Sequence, residues 1–321
     1  MKKIKWGIIG LGKIANKFAE DLGTIKDAEL VAVASRNMDN ANEFAKKYNA
    51  KKAYNSYKDL AKDPEVEAIY IATPHSFHKE HAVLCLQNKK AVLCEKPFVM
   101  NSKEVAEMIA IAKENNTLLM EALWTYFLPH YKFALEFLQQ EKLGKVIELQ
   151  ADFGFHPTYN EESRVFKKEV GGGSLLDIGI YPIFAALSTL GNPKNIKANA
   201  TFFENGADSS CSMVFQYENS KAILKSTLLE ETKTEAIFTC EKGKLIINRQ
   251  FHAPSSVTII SEEKEETIQF ENKTNGYNFE IEHFNQLLRD GKKESNIMTF
   301  DFSKNLMKTL DDVREIIGLE Y

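Results

Sequence analysis

The chain has 321 residues, 44% of them hydrophobic and 27% charged, enough for a sizeable core and, by length, about two domains. A net charge of −4 offers no basic field to a nucleic acid. No run approaches ~18 consecutive apolar residues, so no membrane span is expected, and the lysine-led MKKIKWGIIGLG is too short for an export signal, is broken by Lys13 and lacks a small-residue cleavage site.

Four cysteines (Cys85, Cys94, Cys211, Cys240) are too scattered for a disulfide framework or a zinc site, and read as reduced core thiols of a cytoplasmic protein. Over the first 125 residues, short apolar runs (3–9, 30–34, 68–72, 91–94, 118–120) alternate with segments whose apolar residues recur every three or four (13–22, 39–47, 76–88, 102–115). Ser76 and Ser102 stand where helix N-caps belong. The alternation predicts right-handed crossovers and a doubly wound parallel sheet of Rossmann type, a nucleotide-binding domain over residues 1–125. From 126 to 321 the grammar changes. A helix at 128–141 and a long alternating strand at 145–155 precede the glycine-led GGGSLLDIGIYPIFAALSTLG, and strand-like runs separated only by turns fill 196–270. Helices near 277–290 and 301–316 finish the chain, the last able to pack back on the first domain. Strands joined by turns predict an α+β domain on a large open, mostly antiparallel sheet.

Gly10-Leu11-Gly12-Lys13-Ile14-Ala15 follows the first strand and opens the first helix. The first glycine of such a turn permits the reversal, and the second lets the backbone approach a pyrophosphate. Ala15 allows close helix–strand packing, and the helix N-terminus supplies donors. A cofactor of the NAD type calls for an acid at the end of the second strand. VAVASRN instead places Ser35 and Arg36 there, a hydroxyl and a guanidinium suited to a 2′-phosphate. NADP is therefore expected, with NAD as the alternative.

Ligands of an open parallel sheet lie beyond the carboxyl ends of its strands. Three segments converge there: Thr73-Pro74-His75-Ser76-Phe77-His78, Glu95-Lys96-Pro97, and Glu121-Ala122-Leu123-Trp124-Thr125-Tyr126. No Asp, Glu or Cys at ligand spacing joins His75 and His78, so no metal site is expected.

The glycine fingerprint, T-P-x-x-x-H, E-K-P and G-G-G-x-L-x-D-x-G resemble, in order and from residue 3 to about 317, the glucose-fructose oxidoreductase/inositol dehydrogenase (Gfo/Idh/MocA) family. MEALWTYFLP and SRVF…GGGSLLDIGIYP look most like its branch containing dimeric dihydrodiol dehydrogenase and NADP-dependent D-xylose dehydrogenase. The resemblance implies that Lys96 reaches both the nicotinamide ribose and a substrate oxygen. It places Thr73, Pro74, His75, His78 and Glu95 against the cofactor and Trp124 on the nicotinamide and substrate pocket. Asp177 and Tyr181, four apart on the helix after the glycines, complete the catalytic set, with tyrosine where many members have histidine. A phenol of pKa about 10 is a poor base, but an ammonium and an oxidised nicotinamide both favour its anion, so Lys96 and Tyr181 make a workable proton relay. Tyr126 stands where close relatives have arginine, which puts their substrate range in question.

The expected function is transfer of a hydride between NADP and a hydroxyl-bearing carbon of a sugar or cyclic diol. An NAD-dependent glycosidase and a non-enzymatic NADP-binding sensor are the alternatives. A homodimer paired through the second sheet, and a cis Lys96–Pro97 bond, are expected too.

Overall fold

The computed structural model describes residues 2–321. They form two compact units. One runs to Trp124 and takes back Asn272–Lys304; the other is Thr125–Glu271 with Asn305–Tyr321.

The first unit alternates β1 (Ile4–Ile9), α1 (Lys13–Leu22), β2 (Ala28–Ala34), α2 (Met38–Tyr48), β3 (Lys52–Tyr54), α3 (Tyr57–Lys62), β4 (Ala68–Ile71), α4 (His78–Gln87), β5 (Ala91–Glu95), α5 (Ser102–Glu114) and β6 (Leu119–Ala122). The six strands lie parallel in the order β3-β2-β1-β4-β5-β6. Their near-continuous apolar runs reflect burial on both faces. The strand order reverses between β1 and β4, the crevice where such sheets bind ligands. Two elements escape the sequence reading. β3 is three half-buried residues and α3 six, too short for a periodic signal. The caps also shift. Asn101, not Ser102, caps α5 by accepting from Glu104 N at 3.0 Å. Ser76 caps nothing: it lies inside a 3-10 turn, His75–Phe77, that precedes α4.

The second unit holds α6 (Pro129–Gln139), β7 (Val146–Gly154), α7 (Ile180–Leu190), β8 (Asn195–Phe202), β9 (Asp208–Gln216), β10 (Lys221–Thr227), β11 (Ala236–Cys240), β12 (Gly243–Ile247), β13 (Val257–Ser261) and β14 (Glu265–Ile268). The eight strands form one sheet in the order β14-β13-β12-β11-β7-β10-β9-β8. Among these strands only β7 and β10 pair in parallel, the chain between them running through α7, β8 and β9. α7 is buried from Ile180 to Leu187 and packs on β7 and β10. The segment Lys168–Leu190, though interrupted by polar residues, passes a test of length and mean composition for crossing a membrane. It is 94% buried inside the protein over its most apolar window, a core helix. On the opposite sheet face, Val214, Ile223, Ile237 and Ile246 fall in one row across β9, β10, β11 and β12, with Gln150 of β7 between them.

α8 (Asn278–Arg289) belongs with the first unit, although it follows the second unit's sheet in sequence. Trp6 Nε1 donates to Asn285 Oδ1 at 3.0 Å, and the Asp21 carboxylate accepts the N–H groups of Asn275 and Tyr277. α9 (Phe300–Ile317) starts in the first unit and ends in the second.

Candidate active site

Gly10 turns the chain after β1 with φ +85°, a left-handed conformation. A Cβ there would stand 2.8 Å from the Ala72 carbonyl oxygen, so only glycine fits. Gly12 differs. Its φ is −82°, it caps α1 with no side-chain bond, and a Cβ would meet nothing within 4 Å. α1 therefore starts with no capping side chain, and the space beside the Gly12 Cα is open. Ala15, fully buried, seats the helix on the sheet, while Lys13 and Ile14 remain exposed. An uncapped helix start beneath a glycine-lined opening suits a pyrophosphate, so these residues fit a dinucleotide.

At the end of β2, Ser35 Oγ accepts Asn37 N at 3.3 Å and Arg36 is exposed. The Arg36 guanidinium bonds the Tyr57 hydroxyl, whose pKa burial nonetheless raises. Next to it, the His81 ring meets Tyr57 edge-on at 4.6 Å, and its Nδ1 is 3.0 Å from Thr73 Oγ1. No carboxylate takes the position a dinucleotide's unphosphorylated ribose calls for.

β5 ends in Glu95, and the Lys96–Pro97 bond that follows is cis. The apparent oddity of a buried strand finishing on an acid has a structural cause. Tyr70 of β4 donates to Glu95 Oε1, while Glu95 Oε2 accepts Lys96 N at 3.2 Å. Glu121 of β6 accepts Phe98 N at 3.1 Å. His78 is fully buried, with its ring nitrogens 2.7 Å from the Thr73 carbonyl and 3.0 Å from that of Pro97. It lies between the Thr73-Pro74 loop and the proline turn; burial pushes its pKa down to about 4, so the neutral ring gives its single N–H to one of the two carbonyls. Its ring is committed to these loops rather than offered to a ligand. His75 is also buried, 6.0 Å from His78 ring to ring. Trp124 stacks on Tyr277, centroid to centroid 4.6 Å.

In the second unit the glycines lead into a π-helical turn, Leu175–Gly179, ahead of α7. Pro182 has no N–H to give the carbonyl four residues back, and a widened turn accommodates that break. Asp208 Oδ2 accepts both Ser174 Oγ and Leu175 N at 2.7 Å, stoppering the helix start. Gly173, at φ +126°, leaves room for it, since a Cβ there would come 2.1 Å from Asp208 Oδ1. Asp177, on the π turn, takes a two-pronged bond from Arg164, at 3.1 and 3.4 Å. Tyr181 is 5% exposed, its ring 5.6 Å from Phe153 and 4.9 Å from His252. Tyr126 packs edge-on against Phe184 at 5.0 Å, and burial raises its pKa.

The strand-end residues of β4, β5 and β6 are brought together in the first unit, and Asp177 and Tyr181 share one helix start in the second. Sequence reasoning missed Arg164, Phe153, His252 and Asp208 as partners of that helix. Arg164 stood in the quoted SRVF with no role, and the others are contributed by distant strands and loops.

A doubly wound sheet of this order, with a glycine turn at its switch point, is the architecture of a dinucleotide-binding oxidoreductase domain. Residues 4–123 match the model of the oxidoreductase family with NAD-binding Rossmann fold, and residues 131–246 match that of the GFO/IDH/MocA C-terminal domain. The chain belongs to the GFO/IDH/MocA oxidoreductase family. It is 38% identical to trans-1,2-dihydrobenzene-1,2-diol dehydrogenase of Xenopus laevis, covering 99% of both chains. It is 34% identical to scyllo-inositol 2-dehydrogenase (NADP(+)) of Bacillus subtilis, over 99% of this chain and 98% of that one. Among solved structures, a 3-ketoreductase from Actinomadura kijaniata in complex with NADP and TDP-benzene superposes with a TM-score of 0.88 at 25% identity, covering 98% of each chain.

Proposed function

We propose that the protein is an NADP-dependent dehydrogenase that moves a hydride between the cofactor and a hydroxyl-bearing carbon of a cyclic polyol, a sugar or a small ring diol. The observation that carries this is the strand-end lysine. Lys96 leaves β5 on a turn pinned by Glu95 and Glu121 beside His78, a rigid mount for a cation that must meet reacting atoms repeatedly in one geometry. The glycine turn and α1 bind the pyrophosphate, and Arg36 with Ser35 takes the 2′-phosphate. Thr73, Pro74, His75 and Trp124 line the nicotinamide side. The cofactor, when bound, accepts or gives the hydride; the chain's own task is the proton. Lys96 and Tyr181 bind the substrate oxygen and share its proton, acid in one direction and base in the other. Asp177, aligned by Arg164, hydrogen-bonds a neighbouring hydroxyl. Relatives named for an inositol and for a ring diol support the substrate class, and aromatic walls with few polar groups suit a ring.

The test is a panel of sugars, inositols and ring diols offered with NADP and NAD in parallel, followed by reduced-nicotinamide absorbance. Reduction of NADP by a polyol or diol, faster than of NAD, is the expected result. No reduction with any of them, or redox-neutral cleavage of a nitrophenyl glycoside in the presence of NAD, contradicts it.

The assembly we propose is a homodimer joined through the apolar row Val214, Ile223, Ile237 and Ile246, with Ile223 40% exposed. Ile223→Asp is expected to convert a dimer to a monomer in sedimentation; a monomeric unmutated protein at micromolar concentration contradicts the assignment.

A further inference from the structure

Neither cofactor binding nor proton transfer as described above uses Tyr277, which arrives late in the chain, just before α8. Asp21 of α1 fixes it there. The Asp21 carboxylate, 1% exposed, accepts Asn275 N at 2.9 Å, Tyr277 N at 2.7 Å and Asn278 N at 3.3 Å. The Tyr277 ring, itself buried, lies on the Trp124 indole, 4.6 Å between centroids and 14° from parallel. It also meets Phe18 of α1 edge-on at 6.3 Å. Phe18 in turn stacks flat on Tyr70 of β4 at 3.6 Å. Tyr70 donates to Glu95, the acid that holds Lys96 N. Trp124, Tyr277, Phe18 and Tyr70 therefore form one buried column of rings within the first unit, running from the indole to the acid beside Lys96. Resting on the places given to Trp124 and Lys96 above, we infer that Tyr277 is a positioning residue. It fixes the Trp124 indole against the mount of Lys96 and so sets the wall on which a substrate ring lies.

The physical reason is rotamer freedom. Trp124 stands in the 3-10 turn just past β6, and an indole can turn about two side-chain bonds. A wall that turns presents no single geometry to a reacting ring. A flat, nearly parallel partner removes that freedom, because stacked aromatic pairs are favourable beyond the area they bury. The partner must itself be fixed, and Tyr277 is held at its backbone by Asp21 and at its ring by Phe18. Both belong to α1, the helix that opens at Gly12. One helix thus carries the pyrophosphate site at its start and the support of the indole near its end.

Tyr277→Leu keeps an apolar side chain and removes the flat face, whereas Tyr277→Phe keeps the face. The experiment measures kcat and KM for NADP-dependent oxidation of the fastest substrate of the panel above, with NADPH affinity from the cofactor's own fluorescence and thermal unfolding as the check of folding. It compares the unmutated protein, both variants, Trp124→Leu and the double variant Trp124→Leu/Tyr277→Leu. Tyr277→Leu is expected to raise KM about 3–10-fold, the scale of one aromatic pair, with NADPH affinity unchanged because the pyrophosphate grip lies elsewhere. Tyr277→Phe should restore KM, and the double variant should be no worse than Trp124→Leu alone, since Tyr277 acts through the indole. A Tyr277→Leu KM equal to the unmutated one, or losses at the two positions that multiply in full, overturns this inference and leaves the reading of Trp124 standing. Unchanged kcat and KM in Trp124→Leu overturn that reading and this inference with it. Should Tyr277→Leu fail to fold, Tyr277→Met, whose unbranched chain fills an irregular gap without a flat face, is judged by the same outcomes.

Discussion

Two helices of this protein start on glycines, and they use the same electrostatics for opposite ends. At Gly12 the start of α1 has no side-chain cap and opens onto space that a Cβ would not fill. Ahead of α7 the corresponding N–H groups are already taken, because Asp208 reaches over from β9 to Ser174 and Leu175. An uncapped helix start attracts an anion from outside, whereas one filled by the chain's own carboxylate becomes a fixed platform. The first is built to bind, and the second to hold Asp177 and Tyr181 in place.

That contrast is open to breaking. The largest effect is expected from Tyr181→Phe, which should cut turnover by ~10²–10⁴-fold, the scale of a lost general acid or base. Its NADP affinity, measured by fluorescence titration, should stay unchanged, since the platform does not bind the cofactor. Gly173→Ala should follow. Its Cβ would lie 2.1 Å from Asp208 Oδ1 at a φ of +126°, so thermal unfolding should show a loss of about 2–4 kcal/mol. Gly12→Ala should unfold normally and weaken NADP instead, because its site has room for the methyl but the ligand does not. Equal thermal losses at the two glycines would erase the distinction. Arg36→Ala should weaken NADP by ~1–3 kcal/mol and leave NAD unaffected, the mark of a lost charge-assisted bond to a phosphate. The smallest effect is expected at Arg164. Its side chain is 43% exposed, so solvent discounts the ion pair with Asp177, and Arg164→Ala should cost stability about 1 kcal/mol or less. A raised KM with little change in kcat would show that it aligns Asp177 for substrate.

The first unit was legible because its signals are local. Strand, glycine turn and helix follow within a dozen residues, and their order alone predicts the parallel sheet. Where the reading slipped there, a competing local rule was at work. In Asn101-Ser102-Lys103-Glu104, two cap-forming residues are adjacent, and Asn101 wins: its side chain accepts Glu104 N, while Glu104 Oε2 accepts the N–H of Met100, one residue before the cap, at 3.1 Å. In the second unit the large open sheet was legible from its turns, but the surroundings of Tyr181 were not. Phe153 lies on β7 and His252 in the loop after β12, and Asp208 crosses from β9, so their meeting depends on sheet order rather than on spacing along the chain. α8 was visible as an amphipathic helix, but its return to β1 and α1 rests on pairs such as Trp6 with Asn285, which no periodicity announces.

The central claim is the proposal that Lys96 and Tyr181 serve a single proton. A double-mutant cycle with Lys96→Ala and Tyr181→Phe, measured as kcat/KM for oxidation at saturating NADP, tests it most directly. The account predicts a double mutant little worse than the poorer single, since groups that act on one proton are not additive. Losses that multiply in full would mean that Lys96 only binds substrate and that the proton leaves by another route.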